Sequence, residues 1–286
     1  MKTRIFGILL ILLFITGCAQ LPSRQAEVEM PELPKVSSAF AAKYAIYAMI
    51  ASNTYHKDES ERVHFPVDML GWRLVDKNDN PTTEPTGNSI TGLSWDIYEN
   101  TRSSEVIFSF RGTDSYLDYL TASAMPWPLA IQYQQSRSAF EDYRENHPNK
   151  EITLTGHSLG GGLASGISVR EGVNVVIFDP SPRIFDGWRD KHKPAKERVV
   201  IYQKGEVLIQ ARKYWPKLVR TFKPTDFYET NFDFGKFSPH RMDQLALGLL
   251  ILGSKEKDSG LSAVLEETRQ KLSSQADLEA AKVSDE

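Results

Sequence analysis

The chain has 286 residues, 41% apolar and 25% charged, with 34 Lys and Arg against 37 Asp and Glu and a net charge of −3. This is ordinary globular usage, which excludes a disordered protein, a collagen-like fibre and a multi-span membrane protein. The mild acidity offers no basic surface to nucleic acid, and the length allows a sizeable core without cross-links. Cys18 is the single cysteine, so no intrachain disulfide forms. No Cys/His cluster has zinc spacing, and neither a metal nor a cofactor is expected.

Lys2 and Arg4 precede an apolar run, Ile5 to Ile15. The run is shorter than the ~20 residues needed to cross the hydrocarbon core of a bilayer. With its positive start and the small residues behind it, it reads as a secretory signal. Ile15-Thr16-Gly17-Cys18 resembles the lipobox of bacterial lipoproteins. That resemblance implies a signal peptide over 1–17 and acylation of Cys18, whose several acyl chains would anchor the protein stably. Ala19 in place of Asp implies, by the same resemblance, sorting to the outer membrane of the cell envelope. Residues 18–36, with Pro22, Pro31 and Pro34, read as a flexible tether.

Ser37 or Ser38 is placed to cap a helix running to about Tyr55, with Phe40, Tyr44, Tyr47, Ala48 and Ala51 on one face. Residues 58–91 are polar and Pro-punctuated, and read as loops around a short strand at Trp72–Val75. Leu93, Trp95 and Ile97 alternate with polar residues, as in a half-buried strand. A turn at Asn100–Ser104 leads to the apolar run Val106–Phe108. From about 131 the pattern is helical. Glu151–Thr155 is a strand, 158–170 a helix, and Val173–Phe178 and Arg198–Tyr202 are strands buried on both faces. Gln244–Leu252 is an apolar helix, and 254–286 reads as a charged C-terminal helix with a frayed end. Strands alternating with helices imply a mainly parallel sheet covered on both faces, here as one catalytic domain over 37–253.

Gly156-His157-Ser158-Leu159-Gly160 matches G-x-S-x-G between a strand and a small-residue helix. This is the context of a nucleophile elbow, which exposes a serine at the carboxyl edge of a sheet and offers helix N-terminal N–H groups to an oxyanion. The segment Gly156–Ala164 (GHSLGGGLA) resembles the α/β-hydrolases of the class 3 lipase group, which includes fungal triacylglycerol lipases and related phospholipases A1. Phe110-Arg111-Gly112-Thr113-Asp114 resembles that group's FRGT block, and Phe178–Arg183 resembles, more weakly, its F-G-[SA]-P-R. The resemblance spans roughly 93–245. It implies the α/β-hydrolase fold and a serine ester hydrolase acting on lipid esters.

A serine hydroxyl needs a base and an orienting acid, and in this fold the chain order is Ser, Asp/Glu, His. Of the six histidines, His56, His64 and His147 precede the serine. His157 lies inside the elbow, where it reads as a packing residue, and His192 sits in a charged stretch. His240, ahead of the apolar helix, is the expected base. The acid stays open. Glu206, after the second strand beyond the nucleophile, is preferred. The resemblance aligns it with the aspartate of the group's N-x-x-D-P-V block, from which glutamate is a departure. Asp179, in a turn-forming Asp-Pro-Ser-Pro, is the alternative, and Asp226 and Asp233 remain behind it. The oxyanion hole is expected from the Leu159 N–H and, by resemblance, from Thr113.

The segment after the FRGT-like block is apolar, and by resemblance a lid follows that block. Met125, Trp127 and Leu129 are its candidate substrate contacts, with Pro126 and Pro128 expected to break any helix there. A second aromatic stretch, from Tyr214 to Phe237, is a further candidate lining for an apolar cleft. Lipid ester and membrane are the expected partners, by way of the anchor. Competing readings are an acyltransferase or thioesterase using the same triad, and a non-catalytic envelope lipoprotein.

Overall fold

The computed structural model describes residues 34–56, 62–89, 91–112, 126–181, 193–205, 227–233, 240–257 and 259–284, with backbone alone at 126–130 and 275–284. Five α-helices are described: α1 (Ser38–Asn53), α2 (Pro126–Asn146), α3 (Leu159–Glu171), α4 (Met242–Gly253) and α5 (Leu261–Ser284). The strands are β1 (Trp72–Val75), β2 (Gly87–Asn88), β3 (Ser94–Asn100), β4 (Glu105–Phe110), β5 (Glu151–His157), β6 (Asn174–Phe178), β7 (Arg198–Gln203) and β8 (Tyr228–Phe232). They form one sheet in the order β1-β3-β4-β5-β6-β7-β8, with β2 paired to β3. β3 runs antiparallel to β1, β2 and β4, and from β4 to β8 every pairing is parallel. This is the expected α/β class, a mostly parallel central sheet with helices.

The alternation of side chains along the central strands divides the core into two layers. Val176 and Phe178 of β6 and Val199 and Ile201 of β7 pack with Ala45, Met49, Leu245 and Leu249 of α1 and α4. Val175, Ile177 and Val200 face the opposite way, against Phe140 of α2 and Leu163 and Ile167 of α3. All of these side chains are almost completely buried. Burying each of the larger ones contributes about 1.5–3 kcal/mol relative to exposure.

Ser37 is the N-cap of α1, its hydroxyl accepting from the Phe40 N–H at 3.2 Å. Residues 34–36, the end of the expected tether, lie along β8. There Asn231 N–H donates to Pro34 O (3.0 Å) and Val36 N–H to Asn231 O (3.4 Å). These bonds partly cover an edge that would otherwise present unpaired backbone groups.

β2 (Gly87–Asn88), in the stretch read as loops, β8 and the start of α2 differ from the sequence reading. β8 (YETNF) has three consecutive polar residues, Glu229 to Asn231, and carries no apolar run. α2 begins at Pro126, not near 131, so the prolines open a helix instead of breaking one. The first-turn N–H groups of a helix have no intrahelical acceptor, so a proline there loses no bond. Among the described residues, no helix is long and apolar enough to cross a membrane.

Candidate active site

β5 ends on His157 and α3 begins at Leu159, so Ser158 makes the whole turn between them. Its backbone sits at φ 54°, ψ −122°, a region that side-chain-bearing residues rarely occupy and that costs on the order of 1–3 kcal/mol. Three hydrogen bonds hold it there. Ser158 N–H donates to Phe178 O at 3.1 Å, and Ser158 O accepts from the N–H groups of Gly162 (3.0 Å) and Ser181 (2.9 Å). The turn also requires a bare backbone at Gly160, where a Cβ would lie 2.1 Å from Phe110 O, and at Gly156, where one would lie 2.6 Å from the Gly160 carbonyl carbon.

His240 comes from the segment just before α4. Its Nε2 lies 3.0 Å from Ser158 Oγ, a hydrogen-bonding distance. Asp179 directly follows β6, the neighbour of β5 in the sheet, and is 1% exposed. It too has a positive φ, 41°; only Asp79 shares that trait with these two among the described non-glycine residues. Its N–H donates to Ile201 O at 3.1 Å, and its Oδ1 accepts from the Gln203 N–H at 2.8 Å. Asp179 is thus tied to β7 through its own N–H and, at its carboxylate, by the Gln203 N–H. An Asp179 carboxylate oxygen and one ring nitrogen each of His157 and His240 lie within 4.8 Å of one another.

The structure therefore brings Ser158, His240 and Asp179 to one sheet edge. Glu206, the acid preferred from sequence, lies outside the described residues, as do Asp226, Thr113, Met125 and Cys18. Trp127 and Leu129 fall in the first turn of α2. Asp233 pairs with Lys204 at 2.7 Å on the surface. Leu159 opens α3, where first-turn N–H groups are free for an external acceptor. Gly112, next to Thr113, approaches the serine so closely that a Cβ on it would sit 3.2 Å from Ser158 Cβ and 2.7 Å from His157 O. The loop after β4 thus passes directly against the elbow. Elsewhere His56 pairs with buried Asp96 at 2.6 Å, and His147 with Asp79 at 3.4 Å.

Sequence reasoning assigned His157 to packing and did not single out Tyr55. Tyr55 Oη lies 2.9 Å from His157 Nδ1. Burial, then the nearby charges of His240 and Arg62, hold the His157 imidazole well below the usual histidine range. Among the described residues, His157, Asp179 and His240 are the one group with donors spaced closely enough to hold a cation. Their arrangement behind a serine hydroxyl is equally that of a proton-transfer relay.

Comparison with known proteins adds the following. The Phospholipase-like family model, a Tle-like phospholipase domain, matches residues 46–182, a span that takes in Ser158 and Asp179 and ends before His240. No curated protein matches the sequence. Among solved structures, Lip2 lipase from Yarrowia lipolytica is 18% identical with a TM-score of 0.43, over 64% of this chain and 77% of its own. The lipase from Rhizopus microsporus var. chinensis is 13% identical with a TM-score of 0.44, over 77% and 84%. Rhizomucor miehei lipase, in its propeptide complex, is 10% identical with a TM-score of 0.43, over 68% and 76%.

Proposed function

We propose that the protein is a serine carboxylic-ester hydrolase acting on lipid esters, with Ser158 as nucleophile, His240 as base and Asp179 as acid. The observation that carries this reading is the 3.0 Å approach of His240 Nε2 to the hydroxyl of a serine held in a strained strand-to-helix turn. His240 Nε2 takes the Ser158 proton as Oγ attacks the ester carbonyl. The oxyanion forms beside the Leu159 N–H, with Thr113 as the second donor that the sequence resemblance implies. Losing one such donor costs roughly 10²–10³ in turnover. The tetrahedral intermediate collapses to an acyl-serine, and His240 returns the proton to the departing alcohol. Water, deprotonated by His240, then attacks the acyl-serine and releases the fatty acid.

The phospholipase description of the matching family model supports a phospholipid as the substrate. The test is a fluorophosphonate label together with assays of the signal-free protein on phospholipid vesicles, triacylglycerol emulsions and short nitrophenyl esters. Labelling at Ser158 and fatty-acid release from vesicles are expected. Lack of labelling in folded protein overturns the hydrolase reading. Release from triacylglycerol alone overturns the phospholipid assignment.

The lipobox-like Ile15–Cys18 supports a lipid anchor at Cys18 and an outer-membrane location, which would keep phospholipid constantly within reach. Cys18→Ala is expected to move the protein from the membrane to the soluble fraction on cell fractionation. An unchanged membrane fraction counts against the anchor.

A further inference from the structure

His157 ends β5 in register with Phe178 of β6 and so enters the layer that holds α1. One of its ring nitrogens is engaged: Nδ1 lies 2.9 Å from the Tyr55 hydroxyl. The other, Nε2, is buried without a hydrogen-bond partner among the described residues. The ring centroid is 4.6 Å from that of His240, with the planes 43° apart. Asp179 lies in the same cluster, within 4.8 Å. Such burial favours the uncharged ring.

A neutral imidazole has two forms. If Nδ1 carried the proton, it would donate to Tyr55, and the buried Nε2 would be left as a bare lone pair in a cluster that also holds the Asp179 carboxylate, which is unfavourable. If Tyr55 donates to Nδ1, the proton sits on Nε2 and its N–H dipole faces the acid–base pair favourably. The carboxylate therefore selects the second form, and the tyrosine hydroxyl, able to donate, satisfies the Nδ1 lone pair that this form leaves. Neutrality matters as well, because turnover makes His240 an imidazolium 4.6 Å away, and a second cation there would oppose it.

Resting on the hydrolase reading above, we infer that His157 is a positioning residue: fixed by Tyr55 in the Nε2–H form, it turns that N–H toward Asp179 and keeps the carboxylate ionised and aligned behind His240.

Long-range proton–nitrogen spectra of the histidine-labelled full chain test this directly. The expected result is a neutral His157 with its proton on Nε2 from about pH 5 to about pH 8. A proton on Nδ1, or an imidazolium in that range, overturns the inference. Tyr55→Phe is expected to abolish the single tautomer and lower kcat about tenfold with KM little changed. His157→Gln, which keeps an N–H donor, is expected to retain about ten times the kcat of His157→Leu. Equal kcat for the two overturns the inference. Should the leucine variant not fold, the wild-type spectrum still decides. The spectra read the ring without turnover. A wrong tautomer in protein that labels at Ser158 defeats this inference alone, whereas lack of labelling defeats the hydrolase reading.

Discussion

Ser158→Ala is expected to lower kcat by about 10⁴- to 10⁶-fold, and His240→Ala by a similar factor, with circular dichroism and melting temperature close to wild type. The size follows from the chemistry: without Oγ there is no acyl-enzyme, and without the imidazole the hydroxyl keeps its proton. The fold is spared because the three bonds that hold the elbow use only the main chain of Ser158. Alanine occupies the same positive-φ position with the same strain, so no stability is gained there either. The pair acts as a unit, so the double variant is expected to be no slower than the worse single one. That non-additivity separates a shared proton-transfer step from two independent packing defects. The readout is ester turnover on a soluble nitrophenyl substrate, with fluorophosphonate labelling in parallel. A folded Ser158→Ala protein that turns over at the wild-type rate sinks the mechanism.

Most of the sheet was legible because its central strands are apolar on both faces. VNVVIF and RVVIY announce β6 and β7 by composition alone. β8 was not, since an edge strand pairs on one side and is free to be polar, and Tyr228 is 51% exposed. The start of α2 was misread because a proline disrupts a helix interior yet is accommodated in a first turn. At the site, GHSLG between a strand and a small-residue helix identified Ser158, and chain order singled out His240. Neither signal indicates which strand end faces the imidazole, since that depends on how β6 and β7 sit beside β5. Asp179 in Asp-Pro-Ser-Pro has the sequence of an ordinary turn. Tyr55 follows a largely apolar helix and looks like core, and its hydroxyl gains meaning only from where His157 lies.

Asp179→Asn is expected to lower kcat by about 10⁴-fold, whereas Glu206→Gln is expected to change it by less than about threefold. The geometric reason is the sheet itself. Asp179 leaves the end of β6, immediate neighbour of the nucleophile strand, whereas β7, which Glu206 follows in sequence, is one strand further on at a spacing of about 4.8 Å. An Asp179 carboxylate oxygen already lies within 4.8 Å of a His240 ring nitrogen. The asparagine variant isolates charge from shape. Asparagine tolerates φ near 41°, and its amide oxygen can keep the 2.8 Å bond from the Gln203 N–H. What it loses is the anion that stabilises the imidazolium and fixes the ring's orientation. The loss is therefore expected in kcat, with melting temperature and KM nearly unchanged. The opposite pattern, with Glu206→Gln inactive and Asp179→Asn near wild type, would assign the acid to the strand position that the lipase resemblance implies and leave Asp179 as a buried tie between β6 and β7.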